Sequence, residues 1–232
     1  MTLPQKPDDG GFLRAFRDDP VAHGLKTPSG KIEIFSSTIA SFEDPDCPGH
    51  PAWLVPTDGT RPGAPLFLVA NQPATRLHSQ LDFGSHSADA KWRGREVASM
   101  HPHDAAARGL TDGDIIRLFN ERGACLAALR LTTDIRLGVV QLPTGAWYDP
   151  DDPEEENPLC VHGNPNVLTR DVGTSALAQG CTGQLTAVEV EKFEGNLPPI
   201  RAFIPPSSGP AQSKSSSYRR WLSVRREPLG DP

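Results

Sequence analysis

The amino-acid sequence predicts a mainly β fold with short helices. It contains 21 glycines and 24 prolines among 232 residues, whereas aromatic residues make up only 6%. That balance favours short strands joined by many turns over a bundle of helices. Three apolar segments also follow one another closely between residues 115 and 142, and they predict an antiparallel meander.

The first part of the chain carries weaker patterns. Residues 12–25 place apolar side chains on one side of a short helix, which Pro20 closes because proline cannot continue a helix. Residues 31–35 alternate Lys-Ile-Glu-Ile-Phe, which is typical of a half-buried strand. A long ordered loop over residues 42–65 is then expected, with Trp53 and Leu54 as its apolar anchors.

The central part alternates short elements with polar loops. Residues 65–70 form a short apolar run that predicts a buried strand, and residues 81–96 are polar enough to predict a surface loop. A short helix over residues 100–109 opens at Pro102 and ends at Gly109 in the left-handed conformation.

Four more strands are predicted towards the end of the chain. Residues 115–119 and 124–131 are joined by a hairpin turn in which Gly123 should adopt a positive φ. Residues 139–142 form a third strand, and the alternation of residues 184–193 predicts the last one.

A dense polar segment follows the strand predicted at residues 65–70. Residues 71–81 read Asn-Gln-Pro-Ala-Thr-Arg-Leu-His-Ser-Gln-Leu. Carboxamides offer donors and acceptors together, and an arginine offers a planar fork for a phosphate. The segment would therefore suit a heterocycle with a phosphate tail. Taken alone, it fits an ordinary polar surface loop equally well.

A second polar segment favours the ligand-binding interpretation. Residues 161–180 read Val-His-Gly-Asn-Pro-Asn-Val-Leu-Thr-Arg-Asp-Val-Gly-Thr-Ser-Ala-Leu-Ala-Gln-Gly. Together with residues 104–114 and 144–150, the two polar segments closely resemble the C-terminal domain of the molybdopterin oxidoreductases. Within that superfamily they are most similar to the dimethyl sulfoxide, trimethylamine N-oxide and biotin sulfoxide reductases, with the biotin sulfoxide reductases nearest. The resemblance covers roughly residues 12–206.

This resemblance implies a fold, a cofactor and a set of binding residues. The implied fold is a six-stranded double-psi β-barrel, as in aspartate decarboxylase, and the implied cofactor is Mo-bis(molybdopterin guanine dinucleotide). Arg76 or His78 is expected near a phosphate or the pterin, and Asn166 at the edge of the pterin ring. The cofactor-binding residues predicted on this basis are Asn71, Arg76, Leu77, His78, Ser79, Gln80, Asn164, Asn166 and Gln179. No catalytic residue and no metal ligand is predicted, because the family's metal-contacting serine lies upstream of these motifs.

The resemblance also implies that the chain is a fragment of a longer S-oxide or N-oxide reductase, whose upstream domains are its expected partner. Alone, it is not expected to be catalytic. Residues 1–60 are then a lead-in from the preceding domain, and residues 61–206 are the cofactor-binding barrel. Residues 207–232 have a low-complexity composition that predicts a disordered tail.

Composition argues against several other classes of protein. The net charge is −6 and charges of both signs are scattered, so no basic stripe indicates nucleic-acid binding. No run of about 18 apolar residues predicts a transmembrane segment. The four cysteines have no metal-site spacing and predict thiols in a reducing compartment. Residues 1–11 lack a secretory apolar core. The cytoplasm is therefore expected, with the periplasm as the alternative for a full-length enzyme.

Two alternative functions remain open at this point. The chain could be a freestanding small β-barrel that binds a ligand without catalysis. It could also be a self-processing decarboxylase, which needs a Gly-Ser cleavage site. Gly84 and Ser85 supply those two residues without further support.

Overall fold

The computed structural model describes residue 11, residues 13–180 and residues 185–205. Within these ranges six strands close into a barrel, in the order β1, β5, β2, β4, β3, β6. The strands are β1 Leu66–Val69, β2 Val97–Met100, β3 Ile115–Asn120, β4 Gly123–Leu131, β5 Val139–Gln141 and β6 Leu185–Lys192. The tail predicted from residue 207 onwards lies outside the described residues.

The barrel combines two parallel and four antiparallel strand pairs. Strand β1 runs parallel to β5 and β2 runs parallel to β4, whereas the other four pairs are antiparallel. Parallel neighbours cannot be joined by tight hairpins, so the chain crosses between them through longer segments. The result is a double-psi β-barrel, as the resemblance implied. Because β1 and β5 are parallel neighbours, the segments that follow them leave the barrel at the same edge.

Apolar side chains from all six strands fill the barrel. Strand β4 is buried on both faces. The chain around Cys160 pairs with its edge, where the Leu126 N–H donates to the Cys160 carbonyl at 2.8 Å. Leu126 and Val161 form a second small core there. The inner core includes the fully buried side chains of Leu68, Met100, Ile116, Leu118, Val140, Leu142 and Val188.

In the part of the chain that the structure describes, four short α-helices lie outside the barrel, namely α1 Arg14–Asp18, α2 Ser37–Ala40, α3 Ser85–Ala88 and α4 Pro102–Ala106. The predictions of α1 and α4 are confirmed. In α4 the His101 ring nitrogen Nδ1 accepts the N–H of His103 at 3.1 Å, and Gly109 follows the helix with a φ of +65°. Among the described residues, no helix is both long and apolar enough to cross a membrane.

Two predictions about strand pairing were wrong. The meander ends after one hairpin, because β5 lies between β1 and β2 instead of beside β4. An alternating pattern shows that a strand exists, but it does not select the partner strand. Gly123 does not have a positive φ, since it already pairs with Asn120 as the first residue of β4.

Predictions for three other segments were also wrong in whole or in part. Residues 31–35 form no strand, and Ile34 is 77% exposed, because no described strand lies beside this segment. Trp53 and Leu54 are 83% and 46% exposed, so neither anchors its loop. Residues 81–96 were expected at the surface, but they carry α3 and a set of buried charged side chains.

Candidate cofactor-binding site

A cavity of about 660 Å³ opens where β1 and β5 end. Three segments that are far apart along the chain line it. The lining residues are Gln72, His78 and Ser79 from the first polar segment, Thr144, Gly145, Ala146, Trp147 and Tyr148 after β5, and Asn164 and Asn166 from the second polar segment.

The strand register explains how two of these segments meet. Val69 pairs with Gln141 across the parallel strands β1 and β5, so both chains leave the barrel at the same level. The Thr144 N–H then donates to the Asn71 carbonyl at 2.8 Å, and the Gln141 side-chain amide donates to Asn71 Oδ1 at 2.6 Å. The parallel pairing therefore continues as hydrogen bonds between the two loops.

These two loops pack closely at Gly145, which has a φ of +89°. A Cβ atom at this position would lie 1.9 Å from the His78 carbonyl oxygen, so only glycine fits. Nearby, the Trp147 indole N–H donates to the Ser79 carbonyl at 2.8 Å. The first polar segment is thus fixed against the turn that follows β5.

Side chains of the first polar segment also bond to one another. The His78 N–H donates to Gln72 Oε1 at 3.2 Å, and Gln72 Nε2 lies 2.9 Å from His78 Nδ1. His78 itself has a φ of +51°. The loop therefore presents an amide and an imidazole together at the wall of the cavity.

The second polar segment enters the cavity through a short 3-10 helix, Pro165–Val167. The Asn164 side chain caps this helix by accepting the N–H of Asn166 at 2.9 Å. One turn later, the carbonyl of the fully buried Leu168 accepts hydrogen bonds from Asn120 Nδ2 at 2.9 Å and Arg122 Nε at 2.8 Å. These contacts hold the segment against the barrel.

Beneath the cavity lies a ring of four buried charges, which we name the ion cluster: Arg76, Asp82, Lys91 and Glu96. Their side chains are 1%, 0%, 1% and 8% exposed. Lys91 Nζ lies 2.9 Å from Asp82 Oδ1 and 2.8 Å from Glu96 Oε2. Arg76 bridges the same two carboxylates, with Nε 3.2 Å from Asp82 and Nη2 2.8 Å from Glu96. Each cation therefore pairs with both anions, and the cluster is neutral overall.

A buried histidine connects the ion cluster to the cavity wall. His162 Nδ1 lies 2.9 Å from the Trp147 carbonyl and 3.8 Å from Asp82 Oδ2. Burial lowers the pKa of His162 below its usual 6.5, and the positive charge of Lys91 lowers it further. The imidazole is therefore neutral at pH 7, and its Nδ1–H donates to Trp147. In the cavity itself, burial raises the pKa of Tyr148, so its hydroxyl stays protonated.

The structure brings together part of the predicted set of binding residues. His78, Ser79, Asn164 and Asn166 line the cavity, and Asn71 lies beside it through its bond to Thr144. The other predicted residues do not line it. Arg76 lies beneath it in the ion cluster, Leu77 and Gln80 are exposed, and Gln179 donates to the Ser175 carbonyl at 3.0 Å within a local turn. For all nine residues of the predicted set, contact with the cofactor remains a prediction.

Sequence reasoning did not select several residues that form the site. Residues 144–148 supply half of the cavity wall, and their only sequence signal was membership of a motif in the resemblance. Asp82, Lys91 and Glu96 gave no signal, because charged residues in a polar stretch usually lie at the surface.

The donors and acceptors of this cavity fit a large neutral heterocycle. Its side chains offer amides, hydroxyls and an imidazole, and no carboxylate lines it. Within the described ranges, no group of three or more histidine, cysteine, aspartate or glutamate side chains could hold a bare metal ion. The fit is therefore to the organic part of a cofactor.

The comparisons with known proteins agree with this geometry. Residues 66–187, which span all of β1 to β5 and the start of β6, match the family model described as the Molydopterin dinucleotide binding domain. The chain belongs to this family.

Curated relatives of the domain are larger reductases. The dimethyl sulfoxide/trimethylamine N-oxide reductase of Rhodobacter capsulatus is 42% identical over 87% of this chain and 25% of that protein. The biotin sulfoxide reductase of Cereibacter sphaeroides is 45% identical over 81% of this chain and 25% of that protein. The trimethylamine-N-oxide reductase of Haemophilus influenzae is 47% identical over 82% of this chain and 24% of that protein. The chain thus spans about a quarter of the length of these relatives.

Among solved structures, acetylene hydratase from Pelobacter acetylenicus superposes with a TM-score of 0.57 at 21% sequence identity. The match covers 74% of this chain and 24% of that one, and it shows the shared fold alone. Family membership and the curated relatives together imply the Mo-bis(molybdopterin guanine dinucleotide) cofactor.

Proposed function

We propose that this domain binds one molybdopterin guanine dinucleotide of a bis-dinucleotide molybdenum cofactor, as the C-terminal part of an S-oxide or N-oxide reductase. Its substrate would be biotin sulfoxide, dimethyl sulfoxide or trimethylamine N-oxide. Its partners would be the remaining domains of the same reductase, and the expected compartment is the cytoplasm, with the periplasm as the alternative. The buried free thiols of Cys125 and Cys160 support a reducing compartment.

One observation carries this proposal: two polar segments about 90 residues apart in sequence meet at a single cavity. His78 and Ser79 come from the first segment, and Asn164 and Asn166 from the second. A surface loop would have no reason to meet a second amide-rich loop at the same edge of a barrel. A ligand with many donors and acceptors requires such convergence.

The side chains at this edge have a binding role. Asn164 and Asn166 offer amide donors and acceptors to a ring edge, while His78 and Ser79 offer donors to a ring or phosphate from the opposite loop. When bound, the molybdenum centre supplies the exchange of an oxygen atom and two electrons with the substrate. The protein contributes binding, orientation and exclusion of water around the group it holds.

A domain exchange tests the proposal. The matching quarter of the trimethylamine-N-oxide reductase of Haemophilus influenzae, which is 47% identical, would be replaced by this chain. We expect the purified exchange protein to contain molybdenum and to release GMP on acid hydrolysis, and to reduce an N-oxide with a reduced dye. The matched control is the same exchange carrying Asn166→Ala and His78→Ala, which should contain less GMP at equal yield.

Other results would redirect the assignment. An exchange protein that folds but holds neither molybdenum nor GMP would contradict the proposal. Tight binding of a guanine nucleotide by the chain alone, without metal, would favour a freestanding binding module. The enzyme that carries this chain, assayed against the three oxidised substrates, would identify the one it reduces.

A further inference from the structure

The ion cluster lies outside the cavity, yet its members contact every segment that lines the cavity. None of Arg76, Asp82, Lys91 and Glu96 lines the cavity, and their side chains are at most 8% exposed. Four charges buried in this way need a role that repays their loss of hydration, because a buried ion pair by itself adds little stability.

The first contact runs from the cluster to the turn after β5. Arg76 Nη2 donates to the Thr144 carbonyl at 3.0 Å, and Asp82 Oδ2 accepts the backbone N–H of Trp147 at 3.0 Å. Thr144 and Trp147 lie at either side of Gly145, whose approach to His78 is too close to admit a Cβ atom. Two members of the cluster therefore bond to both ends of the turn that packs against His78.

The second contact runs from the cluster to the second polar segment. The Glu96 N–H donates to the His162 carbonyl at 3.3 Å, and a Cβ atom on Gly163 would lie 2.7 Å from the Glu96 Cβ. Glu96 directly precedes β2, and its carbonyl accepts the N–H of Ala128 in β4 at 2.9 Å. Through Glu96 the cluster is therefore attached to the barrel itself. Its contacts with His162 and Gly163 hold the start of the segment that carries Asn164 and Asn166.

We infer that Arg76, Asp82, Lys91 and Glu96 are positioning residues, which hold the three cavity-lining segments in the geometry that receives the dinucleotide without touching it. The inference rests on the proposed function and assigns Arg76 a supporting role beneath the ligand. A binding site whose loops are already fixed loses less conformational entropy when the ligand binds, and it therefore holds the ligand more tightly.

The neutrality of the cluster provides the test. Lys91→Met leaves one cation between two buried carboxylates, and Glu96→Gln leaves two cations beside one carboxylate. The double variant removes one charge of each sign and restores balance, with Arg76 and Asp82 still paired. If the cluster acts through its charge balance, the two substitutions must compensate each other.

The experiment measures how fast the molybdenum-loaded enzyme that carries this chain loses its guanine nucleotide. We expect each single variant to release GMP-containing cofactor about ten- to a hundredfold faster than the parent, the range for residues that orient ligand-holding groups. The double variant should recover most of the retention. For the fraction of enzyme that stays loaded, the substrate KM should not change, because the cluster side chains are at most 8% exposed and do not line the cavity.

A stability control separates positioning from a general weakening of the fold. Val190→Ala removes core volume from β6, which takes no part in the cavity wall. Retention would be compared at a temperature where all variants are fully folded by circular dichroism. Val190→Ala should lower Tm and leave retention unchanged. Where Lys91→Met fails to fold, the isosteric Glu96→Gln gives the same comparison.

Three results would overturn the inference. These are single variants that retain the cofactor like the parent, a double variant no better than the single ones, and cofactor loss by Val190→Ala equal to that by Lys91→Met. A parent enzyme that holds no guanine nucleotide at all would instead contradict the proposed function, so the two failures are distinguishable.

Discussion

The two polar segments that line the cavity are held to the barrel by different physical means. The first is tied to the ion cluster, in which Arg76 and Asp82 are 1% and 0% exposed. The second meets that cluster at the backbone of Glu96, and beyond this point it is held through the Leu168 carbonyl, which Asn120 and Arg122 bond from the barrel. Arg122 is 23% exposed and pairs with Asp58 at 2.6 Å.

The two kinds of contact differ in whether water can solvate a charged group that has lost its partner. When a fully buried charge loses its partner, no solvent reaches the remaining charge, and the whole desolvation cost appears. When a half-buried pair loses a partner, water solvates the remaining group and the cost is smaller. The first segment should therefore respond to substitutions much more strongly than the second, and the following predictions test that contrast.

The largest effect is expected for Asp82→Ala. It leaves Arg76 and Lys91 with one carboxylate in a buried site, and we expect a loss of about 3–5 kcal/mol in the free energy of unfolding. Urea unfolding of the purified chain measures it. Glu191→Ala, which breaks an exposed pair with Arg117, is the matched control and should cost less than about 1 kcal/mol. Equal losses of stability for the two variants would contradict the expected difference between a buried and an exposed ion pair.

A smaller loss is expected for Gly145→Ala. The new Cβ would clash with the His78 carbonyl and the φ of +89° disfavours any side chain, so about 2–3 kcal/mol should be lost. Gly138→Ala isolates the backbone part, since Gly138 has a φ of +77° and no atom within 4 Å of the added Cβ. It should cost about 1 kcal/mol in the same unfolding assay. A Gly145 variant no worse than this control would mean that the two loops are not in fixed contact.

For the second segment we expect a more modest effect. Arg122→Met removes the bonds to Asp58, Thr186 and the Leu168 carbonyl. It should cost about 1.5–2 kcal/mol, because Asp58 is partly exposed to water and keeps its pair with Arg61, and the Leu168 carbonyl keeps its bond from Asn120. Arg170→Met removes one bond to Thr57 and should stay within about 0.5 kcal/mol of the parent. Thermal unfolding of the three proteins side by side checks the order. A cost for Arg122→Met as large as that for Asp82→Ala would contradict the proposed role of solvent.

The smallest effect is a dependence on pH. The folded-state pKa of His162 is lowered, so the unfolded chain binds a proton first as pH falls. The contribution of His162 is thus fully present above about pH 6.5 and is lost as pH falls below that value. The neighbouring charges of Asp82, Lys91 and Glu96 are the same in the parent and in the variant His162→Gln. We expect His162→Gln to have a smaller drop in Tm between about pH 7.5 and pH 5.5 than the parent. An unchanged drop would mean that other groups set the dependence.

Sequence patterns predicted the elements whose signal is local. Apolar runs located β1, β3, β4, β5 and β6, and the Pro and Gly positions located α4. Strand β2, Val97–Met100, went unrecognised because its sequence, Val-Ala-Ser-Met, is neither a continuous apolar run nor a clear alternation of apolar and polar residues. The site was predicted only in part, because only some of its residues carry a local signal. His78 and Asn166 stand in dense polar motifs, whereas Lys91 looks like any other surface lysine.

The sequence by itself determined that short strands would build the domain, which family it resembles, and which two segments carry the polar groups. Only the tertiary structure decided that β5 lies beside β1, and that four charges within residues 76–96 are buried together and neutralise one another beneath the cavity. The reason is physical. Hydrophobic alternation and turn chemistry act between neighbouring residues. Strand pairing depends on which distant residues the closed barrel brings into contact, and the pairing of the four charges depends on whether the folded chain buries the segment that carries them.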